Sequence, residues 1–209
     1  EGFYNKPRVD HELLEEYHEG LICLSACLAG EIPQALLAGD YEKAKNLARY
    51  YEDLFGKGNY YIEIQDHGLD EQRTVLPLLV RLSRETGIPL VATNDAHYIN
   101  REDSATQSIL VCIQTGRTVN DPSDLEFQTD QFYIKSLEEM RQAIPDVDEA
   151  FENTVRIAER CNVEFEFGKT KLPYFAAPDG EDNLSYFRRM SYEGMHRLYG
   201  ENPDPSVTE

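Results

Sequence analysis

The stretch Ile88-Pro89-Leu90-Val91-Ala92-Thr93 restricts the possible folds more than any other feature of the chain. It is short and apolar on both faces, and it follows a helical run from Asp70 to Gly87. A strand hidden on both faces belongs to a parallel sheet, and a parallel sheet needs helices to connect and cover its strands. The rest of the chain supplies the same alternation. "VDHELLEEYH" reads as a short helix capped by Asp10, "GLICLSAC" as a strand, and "EIPQALLAG" as a helix ending at Gly39. Asp40 then caps a longer helix whose Ala44, Leu47, Ala48, Tyr51 and Leu54 share one face, and Gly56 stops it. "NYYIEIQ" is a second strand, and the run from Asp70 is expected to bend or restart at Pro77. The pattern predicts an α/β layer or barrel built on parallel strands.

After the third strand a helix is expected from about Glu102 to Gln114. "GRTVNDPSDLEFQTDQFYIKS" is turn-rich, and helices follow over Leu137–Ala143, with Ser136 as N-cap, and over Val147–Cys161. "FGKTKLPYF" reads as extended and "NLSYFRRMSYEGMHRLYG" as a last helix, with a domain boundary near residue 165. The expected division is residues 1–165 and 166–209.

Composition narrows the class. With 209 residues, 41% of them hydrophobic, the chain can bury a sizeable core. It has no apolar run of membrane-spanning length and no secretory leader, so a soluble cytoplasmic protein is expected. Twenty Lys and Arg stand against 39 Asp and Glu, a net charge of −19, which disfavours direct binding of nucleic acid by this chain. The four cysteines, Cys23, Cys27, Cys112 and Cys161, form no CxxC pair, and buried free thiols are expected. The chain opens on Glu1 in mid-pattern, as a piece of something longer would.

The third strand ends in Asn94-Asp95-Ala96-His97. On a strand, residues two apart face the same way, so Asp95 and His97 are expected to project together from a carboxyl end, where α/β folds build their sites. Such a pair can hold a divalent cation, or a carboxylate can orient a catalytic base. The plainer alternative is a turn cap beside a half-buried imidazole. Cys27 lies just past the first strand, and the second strand carries Glu63 and Gln65 on one face, with Asp66 and His67 in the turn beyond. If the strands are parallel neighbours, Cys27, Glu63, Asp95 and His97 converge on one rim. Asp146-Val147-Asp148 looks like a metal-holding pair but reads better as a helix start, Asp146 with Glu149 making a capping box. His11, His18 and His196 lie among polar residues on helices and read as surface residues.

Several stretches taken together resemble a known family. "EGFYNKPRVDHELLEEYHEGLICLSACLAGEIP", "YYIEIQDHG", "GIPLVATNDAHYINRED", "VCIQTGRTVND", "FYIKSLEEM", "FENTVRIAERCNV" and "LPYFAAPDG" are similar, in order, to the alpha subunits of bacterial replicative DNA polymerase III. The resemblance covers the later part of their PHP (polymerase and histidinol phosphatase) domain and the start of the polymerase core. It implies a partial, distorted (β/α)7 barrel over residues 1–165, then a short, mainly helical segment over 166–209. It also implies metal ligands at Cys27, Asp95 and His97, with Glu63, His67 and Asn94 as rim or supporting residues. The metals would be zinc or manganese, with magnesium serving the polymerase. Many relatives carry His where this chain has Gln107.

The resemblance further implies DNA replication by the parent, with DNA and dNTPs bound by its other domains and with other replisome subunits as partners. The PHP portion would give the parent a metal-dependent 3′–5′ proofreading exonuclease. The family's opening His-x-His and further ligands precede the matched region, so this segment by itself is expected to be inactive. The competing expectation is a structural module that braces the polymerase core. Docking of a replisome subunit ranks third.

Overall fold

The computed structural model describes residues 7–118, 120, 128–170 and 172–208. The chain divides into two compact units, Glu1–Asn162 and Val163–Glu209. In the turn-rich stretch after Thr118, residues 119 and 121–127 lie outside the described residues.

The first unit holds α1 (His11–Tyr17), β1 (Cys23–Leu24), α2 (Glu31–Leu37), α3 (Tyr41–Phe55), β2 (Tyr60–Ile64), α4 (Asp70–Thr86) and β3 (Leu90–Ala92), followed by α5 (Ser104–Thr115), α6 (Leu137–Ala143) and α7 (Asp148–Arg160). Three helix starts follow from side chains that accept a hydrogen bond from a first-turn amide: Asp10 from Leu13, Asp40 from Lys43, and Ser136 from Glu139. Glu139 returns a bond to the Ser136 amide, completing a capping box. At the other end of α3, Gly56 takes a φ of +83°, as a helix stop requires.

The strands form one parallel sheet in the order β1-β2-β3, with Cys23 opposite Tyr60 and Ile62 opposite Leu90. Helices make both crossovers, α2 and α3 between the first two strands and α4 between the last two. β2 is buried along its whole length, and Ile62 and Ile64 are fully covered. Ile32 and Leu36 of α2, Ala44 and Ala48 of α3, and Val75, Leu79 and Leu82 of α4 complete the core around it. Leu47, Tyr51 and Leu54 pack against that core from α3, so its expected apolar face is real. α7 lies along β3, where Asn153 donates to the Leu90 carbonyl at 2.7 Å.

Four expectations need correction. The first strand is two residues long, because Ala26 adopts a φ of +65° and turns the chain away. α4 does not restart at Pro77 but runs through it as one helix. Asp146 does not cap α7: it has a φ of +62°, Val147 occupies the N-cap position, and no side chain caps the helix. Asp148 lies inside the helix and pairs with Arg141 at 3.3 Å. The cysteines are not buried as expected: Cys161 is exposed, and Cys23, Cys27 and Cys112 are half-buried. His11 lies on the surface, as expected. Its ring stacks on Tyr50, and its Nε2 lies 3.2 Å from Glu31 and 3.1 Å from the Tyr51 hydroxyl, tying α1 to α2 and α3.

The second unit contains α8 (Asn183–Tyr199) and α9 (Pro205–Thr208), preceded by an irregular segment with a single turn of 3₁₀ helix, Pro178–Gly180. α8 buries no residue. The α/β class is thus present, as a three-stranded parallel sheet with flanking helices.

Candidate functional site

All three strands point the same way, so the segments that follow them open on one rim. After β1 the chain makes a tight turn. Ser25 donates its amide to the Tyr61 carbonyl, and its hydroxyl accepts from the Glu63 amide at 2.8 Å. Gly30 closes the turn, donating to the Cys27 carbonyl. A Cβ on Gly30 would stand 2.4 Å from the Ser25 carbonyl oxygen, so only glycine fits.

This turn holds Cys27 at a small cavity shared with Glu63 and Gln65, of about 10 Å³, room for one water. Glu63 is 9% exposed, and its Oε1 accepts from Gln65 Nε2 and from the Thr93 hydroxyl. Gln65 also donates to Thr93 at 2.9 Å, so the three side chains lace β2 to the end of β3. Gln65 Oε1 is buried without a partner among the described residues, an acceptor that a water or a cation would satisfy.

Asp95 and His97 come together differently from the way strand periodicity suggests. β3 ends at Ala92, and both residues lie in the turn beyond it. Asp95 takes a left-handed φ of +47°, a conformation that aspartate tolerates better than most residues. That turn brings Asp95 Oδ1 to 3.5 Å from His97 Nε2, with both side chains more than a third exposed. The His97 amide donates to the Phe132 carbonyl at 2.8 Å, and Tyr98 bridges to Tyr133.

His67 is 1% exposed and stacks on Phe132 with ring centroids 4.2 Å apart and planes 7° apart. Burial pushes its imidazole below the ordinary value, against the opposing effect of the hydrogen bond to the Asn94 backbone. Asn94 donates to the Tyr133 carbonyl at 2.7 Å and accepts from Lys135 at 3.3 Å. Burial likewise holds the Lys135 ammonium below its usual range.

The expected four-residue convergence resolves into two pairs: Cys27 with Glu63 at the cavity, and Asp95 with His97 in the turn. Their thiol, imidazole and carboxylate groups suit a divalent ion in kind. In number they do not. Among the described residues, no group of three or more His, Cys, Asp and Glu side chains is placed to hold a metal. The sequence reading also missed Ser25, Gln72, Thr93 and Phe132, which build the rim. Thr93 directly precedes Asn94, and that adjacency was the available signal.

Comparison with known proteins follows the same residues. The PHP domain model matches residues 1–67. Over 95% of its length the chain is 50% identical to the DNA polymerase III subunit alpha of Treponema pallidum. It is 43% identical to that of Thermus aquaticus, again over 95% of the chain. The chain belongs to the DNA polymerase III alpha-subunit family. It spans 17% of the length of each of these two relatives. The family's PHP match ends at His67, so it takes in Cys27 and Glu63, while Asp95 and His97 lie beyond it. Among the described residues, no helix is long and apolar enough to cross a membrane.

Proposed function

We propose that this chain is the later PHP portion, with the start of the polymerase core, of an alpha subunit that replicates the chromosome in the cytoplasm. The three-stranded sheet is part of a distorted (β/α)7 barrel. Cys27, Asp95 and His97 are donors to divalent zinc or manganese at its rim, and further donors come from elsewhere in the alpha subunit. The site serves hydrolysis of a phosphodiester at a 3′ end, so the parent proofreads what it polymerises with magnesium. DNA, dNTPs and other replisome subunits meet the parent's other regions, which accords with a net charge of −19 here. The segment alone is inactive.

One observation carries this reading. Three parallel strands deliver a thiol, two carboxylates and an imidazole to the same end of one sheet, in a chain 50% identical to a named alpha subunit over 95% of its length. Asp95→Ala in the full alpha subunit is expected to abolish metal-dependent removal of a mismatched 3′ nucleotide while leaving primer extension intact. Unchanged removal would overturn the assignment.

A second reading is favoured by the absence of a three-donor group among the described residues. Here the domain is a brace for the polymerase core and performs no hydrolysis. Asp95→Ala would then lower the melting temperature and primer extension of the alpha subunit together, with no nuclease to lose.

A further inference from the structure

The hydrogen bonds around His67 fix its protonation and its job. The Gln72 carboxamide oxygen accepts from the His67 amide at 2.7 Å. The other end of that carboxamide, an NH₂, therefore faces the ring, 2.8 Å from Nδ1. An NH₂ can only donate, so Nδ1 accepts. Nε2 lies 2.5 Å from the Asn94 carbonyl oxygen, which can only accept, so Nε2 carries the proton. Both ring nitrogens are engaged, and neither offers a lone pair to a metal.

The Asn94 carbonyl held by this ring immediately precedes Asp95 and its left-handed turn. The Asn94 side chain is fixed as well, between the Tyr133 carbonyl and Lys135. On the other flank, the face of the His67 ring backs Phe132. Phe132 in turn accepts the His97 amide through its carbonyl and meets the His97 ring edge-on at 5.7 Å. One buried imidazole thus touches the support of both exposed residues.

We infer that His67 is a positioning residue, which donates from Nε2 to the Asn94 carbonyl and backs Phe132 so that the 94–97 turn presents Asp95 and His97 as a pair. The inference rests on the proposed role of Asp95 and His97 as metal donors. Groups that orient ligands without touching the metal commonly govern affinity by 10–100-fold.

Three substitutions in the full alpha subunit separate the possible roles. His67→Gln keeps an N–H donor at the Nε2 position, His67→Asn reaches only the Nδ1 position, and His67→Phe keeps only the stacked ring. Amide exchange read by mass spectrometry on a peptide covering residues 94–99 reports the turn. A peptide from α3 reports the core. The Asn and Phe variants are expected to speed exchange in 94–99 by about tenfold, the worth of one hydrogen bond, with α3 unchanged, and His67→Gln, which keeps the donor and loses only the ring, should stay nearer the native protein than either. Affinity for Mn²⁺ or Zn²⁺ should weaken by about 10–100-fold in the same two variants and recover with Gln. Equal effects of all three substitutions, or acceleration of α3 in parallel, would show a plain core residue and overturn the inference. Should Phe fail to fold, the Asn and Gln pair decides alone. If the unaltered alpha subunit takes up no metal yet the turn loosens as expected, the donor role fails and the positioning of the turn stands. Bound metal with no change in exchange would reject the positioning and leave the donors.

Discussion

α4 and α8 are each 17 residues long, and they put opposite weights on local and tertiary chemistry. α8 has the better local signals. Asp182 accepts from the Leu184 and Ser185 amides at its start, and no proline interrupts it. α4 starts at Leu69 without a side-chain cap and carries Pro77 inside, which costs it one helical hydrogen bond. Yet α4 buries Gln72, Val75, Leu79 and Leu82, while α8 buries nothing and leaves Leu184, Phe187 and Leu198 more than two-thirds exposed. Caps decide where a helix begins, and packing of an apolar face decides what it contributes to stability. The largest expected effect breaks or confirms this contrast. Leu82→Ala, at a fully covered position, should cost about 2–5 kcal/mol, whereas Leu198→Ala should stay within about 0.5 kcal/mol. Denaturant midpoints of the two variants measure both. Equal costs would mean that the apolar residues of α8 are covered after all.

The cysteines sharpen the same contrast between covered and uncovered positions. Burial, helped by the nearby Glu63 carboxylate, pushes the Cys23 thiol up to about 11 from 9.0. Cys161 is exposed at the end of α7. At pH 8 Cys23 should hold about 100-fold less thiolate than an ordinary thiol and be alkylated correspondingly slowly, after Cys161 is fully modified. Mass spectrometry of timed iodoacetamide labelling reads the difference. Because the folded thiol titrates above the unfolded one, its contribution to stability is intact below about pH 9 and is lost as pH rises toward 11. Labelling of both cysteines at one rate would place Cys23 in water.

What could be read from the sequence divides along the same line. Asp10, Asp40 and Ser136 were legible as caps because a cap and its amide lie within one turn of helix. The apolar face of α3 was legible because its period is local. Asp146 failed as a cap because its left-handed backbone shifts the helix start, a choice that residue types alone do not encode. Asp95 and His97 were chosen correctly as neighbours for the wrong reason: a positive φ at Asp95, beyond the end of β3, joins them. The convergence of Cys27 with Asp95 and His97 was argued from strand order. The parallel order is correct, but where loop side chains come to rest depends on contacts such as Asn94 with Tyr133, 39 residues away. Residue pattern alone showed His67 as a turn residue, and only the family resemblance marked it as a supporting one, because its partners Gln72, Asn94 and Phe132 meet it through tertiary packing.

The smallest effect tests the cap of α8, the feature in which it surpasses α4. Hydrogen bonds from Ser185 to Asp182, joined by one from the Leu184 amide, hold the carboxyl below its ordinary value. A folded carboxyl depressed in this way supports the helix above its unfolded titration near 3.8 and ceases to do so as pH falls through the folded value. Asp182→Ala should therefore fray the first turn of α8, raising amide exchange at Leu184 and Ser185, and should remove the acid sensitivity of that exchange. The core around Ile62 should not register the change, since a cap acts over one turn. If Asp182→Ala instead shifted the global denaturation midpoint as far as Leu82→Ala does, α8 would be part of the cooperative core, and the division of labour between the two helices would be wrong.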